Sequence, residues 1–480
     1  MRHRIPRPLA LLLCVTAVLS VAWAFTTAPF QGPDEPAHFN YTQHLAETGH
    51  KPSALTGTMP DSTQVANTLF YLNLDQLAGV ADARPSWAPV EEQRIDEIVR
   101  AVGKKGEKDG AGPNPLAKNP PLYYAYNAIP YWVGSLGSFW DRLILMRLAS
   151  GLLLLATVAF TWFAAAEVFR STWPRLIAAG SVALLPQLTA ISGLINSDNL
   201  LIAVWSAFTF AAIRTARRGA SPLRVLALCA LGAASLLTHG RGTAILLALA
   251  VTVVVGLVRA RPSLRAAVRT LAPGVAFLLV ALVVYRVALA PSTGAYGGEV
   301  TLNPAGTATL KGLVSNVWQF YFPRLPFMEV RRGPDYGFHQ VFVESFYGRF
   351  ASLEIGYPAL VYSLLQVASL LGLAGLVAGV TTRWNAVRSH WAEITVVVTI
   401  AASMIGLLHV ASYRALTTSL DPLITGRYLL PLVTCFGLGV AFAISSLRPR
   451  ASALVGTVVL SSLLVLNLAG LMLTFTRFYG

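Results

Sequence analysis

Residues 32–41 read GPDEPAHFNY. They follow an apolar run, about residues 8–28, that is long enough to cross a bilayer. Asp34 and Glu35 therefore stand where the chain leaves the lipid on its far side. Carboxylates are costly in hydrocarbon, so this pair belongs in water or in a lined cavity. Pro36 suits the first turn of a helix, which predicts a short helix over Pro36–Thr48. An acid before a helix is often a cap for free backbone N–H groups. Capping accounts for one acid; it does not account for two acids and His38 together at a membrane exit.

Working outward, apolar runs recur along the whole chain. Hydrophobic residues make up 55% of the sequence and charged residues 12%, against about 25% charged in soluble domains. A soluble globule is excluded. The formal charge of +15 is read as positive-inside placement of arginine, with no nucleic-acid partner. Cys14, Cys229 and Cys435 all lie in apolar runs, which argues against a disulfide framework or a metal cluster. The N-terminus has a basic, then apolar, signal-like form, and Ala22-Trp23-Ala24 fits a cleavage pattern. The apolar run continues past that point, so an uncleaved first span is expected.

The expected spans are roughly 8–28, 143–166, 174–193, 199–213, 223–239, 242–258, 270–290, 357–380, 391–411, 426–446 and 451–474. With the N-terminus in the cytoplasm, the arginine clusters between spans fall on one side. That predicts a single all-α polytopic domain over 1–480, with about 11 transmembrane helices and the C-terminus outside. Of 22 Asp and Glu residues, only Glu167 and Glu393 then lie in cytoplasmic turns. The polar mass is expected in two extracytoplasmic loops, 29–142 and 291–356. Helices are expected over Asp61–Gly79 and Pro89–Val102 in the first, and a mobile Gly/Lys/Pro stretch over Gly103–Pro115. PPLYYAYNAIPYWVG (120–134) is read as interfacial or re-entrant, because a full span there would reverse every later arginine loop.

Three further places carry candidate chemistry. GLINSDNL holds Asn196 and Asp198 in a short outer turn. As a plain turn it needs no function, but its flanks are apolar. TGRYLLPL (425–432) puts Arg427 and Tyr428 at the outer start of a span. A snorkelling arginine is the ordinary reading; an anion site is the functional one, since guanidinium binds phosphate and keeps its charge. Lys118 and Asn119 precede the Pro-Pro of the interfacial segment. His239, Arg241, Arg324, Arg331, Arg332, His339 and Arg349 are weaker candidates. No P-loop, HExxH, GxSxG or paired CxxC is present.

GPDEPAHFNY (32–41), NPPLYY (119–124), INSDN (195–199) and GRYLLPL (426–432) together resemble the GT-C superfamily of integral membrane glycosyltransferases. The chain is most similar to a bacterial multi-pass family with a PDEPAHF-like motif after its first span. The resemblance implies a polyprenyl-phosphate sugar donor, an envelope glycan, lipid or protein acceptor, and transfer at the extracytoplasmic face of the cell membrane. Carried over, Asp34 is the first-loop acid and Asp198 the second, and Lys118 falls near the donor phosphate. Asn119 departs from a histidine found in related motifs. The expected catalytic residues are Asp34, Glu35 and Asp198. Arg427 and Lys118 are expected at the donor phosphate, and His38, Tyr123, Tyr124, Asn196 and Tyr428 along the substrate. A divalent cation (Mg or Mn) on Asp34 and Asp198 stays open, since no DxD is present. Two other classes compete: a transporter or flippase for lipid-linked or anionic envelope precursors, and a non-catalytic envelope assembly protein.

Overall fold

The computed structural model describes residues 5–53, 62–77, 80, 82–102, 114–288, 309–328, 337–417 and 425–480. Residues 103–113, which make up most of the expected mobile stretch, lie outside it, as do residues 289–308, Arg331 and Arg332. The described chain is helical apart from one two-residue antiparallel ladder, β1 (Arg349–Phe350) with β2 (Ile355–Gly356).

The first span is α1 (Arg7–Thr26). The first loop folds as α2 (Glu35–Thr48), α3 (Thr63–Tyr71), α4 (Pro89–Val102) and α5 (Leu122–Gly134). The membrane helices continue as α6 (Phe139–Val168), α7 (Thr172–Ala183), α8 (Pro186–Ser192), α9 (Asp198–Arg218), α10 (Pro222–Thr238), α11 (Ile245–Ala260) and α12 (Leu264–Ala288). After α13 (Leu310–Tyr321) come α14 (Ala359–Thr382), α15 (Trp391–Thr417), α16 (Val433–Ser445) and α17 (Pro449–Tyr479). A 3₁₀ turn leads into α11 (Gly240–Ala244) and another into α16 (Gly426–Leu432).

Nine described helices are long and apolar enough to cross a membrane, counting the two 3₁₀ turns with the helices they lead into. The bent pair α7–α8 makes a tenth, and α10, at 17 residues, is a shorter apolar helix. Each falls on one of the eleven expected spans. α5 has 13 residues and is about 20 Å long, too short for a hydrocarbon core of about 30 Å. It packs on α2 and α6 and exposes Ile129, Trp132 and Val133, as an interfacial helix does. α4 has the expected bounds; α3 is shorter than expected, since Asn73 turns left-handed just beyond it (φ 55°).

Two local features set the level of the site. Pro186 breaks the third span, and α7 and α8 meet at 57°. Asn467 of α17 repairs the break, donating to Leu184 O at 3.4 Å and Thr189 Oγ1 at 2.6 Å and accepting from Trp23 Nε1 at 2.9 Å. Gly193 then lies against α1 so closely that a Cβ would meet Ala24 N at 2.7 Å. The 194–198 turn is thereby pressed onto the end of α1, beside the 32–35 turn.

The first loop has its own apolar core of Phe30, Phe39, Tyr41, Val65, Ile95 and Phe139. Phe350, Ile355 and Phe478 join it from the second loop and the C-terminal end. The site below is built between this layer and the tops of α9, α11 and α16.

Candidate active site

The two acids of the first motif point opposite ways. Asp34 has a left-handed backbone (φ 57°, ψ 15°) and makes no side-chain cap bond to α2. Its side chain is 52% exposed, so the capping reading fails for it. Glu35 is fully buried. Arg147 of α6 grips it twice, Nε to Oε1 at 2.8 Å and Nη2 to Oε2 at 2.7 Å. The backbone N–H groups of Gly32 and Ile195 donate to the same carboxylate. Arg147 also donates to the carbonyls of Ala24, Thr27 and Ala28. The expectation that Glu35 is catalytic is corrected: its oxygens are consumed in joining the end of α1, the 32–35 turn and the 194–198 turn.

Asn196 completes that joint. Its Nδ2 donates to Pro33 O at 3.1 Å and its Oδ1 accepts from Asp198 N at 2.9 Å. Through these two bonds Asn196 straps the 32–35 turn to the start of α9.

Asp198 is 3% exposed. Arg241 donates to its Oδ1, and Arg427 Nε stands 3.6 Å from its Oδ2. Arg427 Nη2 is also 3.8 Å from Asp34 Oδ2. The two carboxylates thus flank one planar guanidinium and lie within about 10 Å of each other. Arg241 stacks 3.9 Å from the ring centroid of Tyr428, and Arg427 lies 5.5 Å from it. Tyr428 is a platform for two cations.

Arg427 is placed by backbone packing. Thr425 Oγ1 accepts from Arg427 N at 3.4 Å. At Gly426 a Cβ would meet Val341 O at 2.5 Å and Phe346 N at 2.6 Å. The second loop therefore seats directly on the arginine turn.

The other wall is α2 against α5. His38 Nδ1 lies 3.0 Å from Tyr124 Oη, and the rings stack. Tyr41 stacks face to face on Tyr124 at 3.6 Å. Asn119 Nδ2 donates to Tyr124 Oη at 3.2 Å, which ties this wall to the turn ending at exposed Lys118. Burial holds the His38 imidazole down at about 4, so it is neutral at pH 7. Burial, with Arg241 beside it, lowers His239 to about 3. Burial pushes the Tyr124 phenol up. Tyr123 is fully buried: its hydroxyl joins α5 to α6 through Ser150 Oγ at 2.9 Å, accepts from Asn127 Nδ2 of its own helix at 2.7 Å and meets the backbone of Asn196, so it supports the site from behind instead of lining it.

A divalent cation shared by Asp34 and Asp198 does not fit these residues. Each carboxylate faces Arg427, and Asp198 is bound by Arg241 as well. Among the described residues no group of three or more His, Cys, Asp or Glu side chains could hold a metal ion. A separate apolar groove of about 390 Å³ between α5 and α6, lined by Tyr126, Pro130, Val133 and Leu148 among others, shares none of the site residues.

Residues 18–436 match the family described as Predicted membrane protein (DUF2142). The chain belongs to that family. Among curated proteins none matches it. Its fold is similar to that of ArnT from Cupriavidus metallidurans in the apo state (14% identity, 98% of this chain and 76% of ArnT, TM-score 0.48). It is similar to the same protein bound to undecaprenyl phosphate (16% identity, 94% of this chain and 63% of that one, TM-score 0.49). A third likeness is to the apo oligosaccharyltransferase of Archaeoglobus fulgidus (13% identity, 98% of this chain and 55% of that one, TM-score 0.46). These general likenesses assign no residue a role in the DUF2142 chain.

The sequence reading missed Arg147 and underrated Arg241. A signal existed for Arg147: an arginine within a span demands a partner. For Arg241 the HGRG turn offered none, since its proximity to Asp198 depends on how α9 and α11 pack.

Proposed function

We propose that this DUF2142 protein is a glycosyltransferase that moves a sugar from a polyprenyl-phosphate donor to an envelope acceptor at the non-cytoplasmic face. The observation that carries the reading is the pairing of a half-exposed carboxylate, Asp34, with a buried arginine, Arg427, whose Nε and Nη1 have no hydrogen-bond partner. Sugar transfer from a phosphate needs those two functions: a base for the acceptor and a fixed cation for the leaving group.

In this mechanism Asp34 takes the proton of the acceptor hydroxyl as its oxygen attacks the anomeric carbon. The bond from that carbon to the phosphate oxygen breaks, and the electron pair leaves on the phosphate. Arg427 and Arg241 meet that charge, held in place by Tyr428 and Asp198. A single displacement inverts the anomeric centre. His38 and Tyr124 form a neutral wall that adds no competing charge. The four motifs that resemble GT-C enzymes contribute Asp34, Asp198, Arg427 and the tyrosine wall to one end of the bundle. That end is expected to face outward, where a lipid-anchored phosphate lies at head-group depth.

Transport is the weaker reading. It favours charged groups at a broken helix in mid-membrane. The break in the third span carries Leu184, Leu185 and Pro186, and an amide fills it.

The test is Asp34→Asn in membranes given lipid-linked sugar and envelope acceptor. Asn tolerates the left-handed backbone, so folding is kept. Transfer is expected to fall by about 10²–10⁴-fold. Wild-type-like transfer removes Asp34 as the base.

A further inference from the structure

Four buried polar atoms at the site lack a hydrogen-bond partner: Arg427 Nε and Nη1, Arg241 Nη1 and Asp198 Oδ2. Arg427 and Asp198 are only 5% and 3% exposed. Buried polar groups are normally paired, and leaving one unmatched costs about 1–3 kcal/mol. This set is mixed, with three donors and one acceptor. Arg427 Nε and Asp198 Oδ2 face each other at 3.6 Å, too far for a hydrogen bond. A water between them satisfies those two atoms and leaves both Nη1 groups unmatched. A bare phosphate satisfies the arginines and sets an anionic oxygen against Asp198. A group that carries anionic oxygens and, beside them, a hydroxyl hydrogen matches all four atoms.

Resting on the donor reading above, we propose that Asp198 Oδ2 accepts a hydrogen bond from the donor-sugar hydroxyl next to the anomeric carbon, while Arg427 and Arg241 hold the adjoining phosphate. In a glycosyl phosphate these groups are neighbours, because the carbon bearing that hydroxyl is bonded to the carbon bearing the phosphate ester. Asp198 then determines donor specificity and takes no proton from the acceptor. Arg241 already binds Asp198 Oδ1, and Oδ2 is the oxygen left without a partner, so Oδ2 is the one that reads the sugar. The site therefore selects sugars with a free 2-hydroxyl, and does not retain the emptied polyprenyl phosphate with the same strength.

The experiment compares binding of three probes to the purified full-length protein: a polyprenyl-phosphate hexose, its 2-deoxyhexose analogue and bare polyprenyl phosphate. The hexose is expected to bind about ten- to a hundredfold more tightly than the 2-deoxy probe. Asp198→Asn is expected to narrow that ratio several-fold, because the ratio compares two probes that carry the same phosphate and so cancels any loosening of the arginines that Asp198 holds. Equal affinity for the hexose and 2-deoxyhexose probes overturns the proposal while leaving the donor reading intact. A ratio unchanged in Asp198→Asn also overturns it. Failure of all three probes to bind overturns the donor reading, and the proposal with it.

Discussion

Asp34 and Glu35 are adjacent, yet one faces the solvent and the other lies in a fully enclosed ion pair. The left-handed turn at Asp34 separates them. Glu35 and Arg147 have each lost their water, so removing one partner strands the other. Arg147→Met is expected to cost roughly 3–5 kcal/mol, read as the shift in detergent unfolding. Glu35→Leu with Arg147→Met is expected to cost less than either change alone. A double variant as unstable as the sum of the two singles rules out the pair as the joint. Asp34→Asn is expected to leave unfolding unchanged, because Asp34 caps nothing. The motif marked this place but not the division of labour. Two consecutive acids look alike in sequence, and their directions depend on one backbone angle.

Among elements, α2 and α5 meet through His38, Tyr41 and Tyr124, and this contact has a pH dependence. His38 has a folded pKa of about 4, below the usual value of about 6.5. The unfolded chain therefore binds the proton first. The stability from neutral His38 is complete above about pH 6.5 and is lost as the pH falls toward 4. His239, lowered to about 3, adds a slope of the same sign. Melting followed from pH 7.5 to 4.5 is expected to fall, and His38→Gln is expected to flatten part of that fall. A second contact joins the 337–347 segment to the Gly426 turn. Gly426→Ala pushes a methyl against Val341 O and Phe346 N and moves Arg427. Donor KM is expected to rise about tenfold or more, since a misplaced charge loses roughly 1.4 kcal/mol per tenfold; an unchanged KM disproves this seating. The short helices of the first loop were largely legible from proline positions and acidic runs. The seating of the second loop on Gly426 was not, since a glycine before an arginine carries no sign of what presses on it.

At the scale of the molecule, the C-terminal end closes over the first loop. Arg477 donates to Ala83 O at 2.6 Å and Leu77 O at 2.9 Å, and pairs with Glu354. Trp87 donates to Phe478 O and stacks on Tyr479. Gly480 and Asp34 thus belong to the same end of the bundle. Impermeant labelling of single cysteines placed at the C-terminus and in the first loop is expected to give one sidedness for both; opposite sides would refute the helix count. Arg477→Ala is expected to speed amide exchange over residues 82–87. The spans were the most legible level, because hydrophobic length is a property of the chain itself. Assembly of the site was the least legible, because it rests on contacts between residues hundreds apart.

The Arg147–Glu35 pair also constrains the order of synthesis. With the N-terminus on the cytoplasmic side, as the arginine pattern predicts, Glu35 crosses the bilayer before Arg147 is made. A guanidinium entering lipid within a helix costs about 2.5–3.5 kcal/mol on insertion scales. That cost is relieved when Arg147 reaches the earlier carboxylate. The second span is therefore drawn to its seat by a residue delivered ahead of it, and a chain lacking Glu35 is expected to seat that span less readily, before Arg241 and Arg427 have been made.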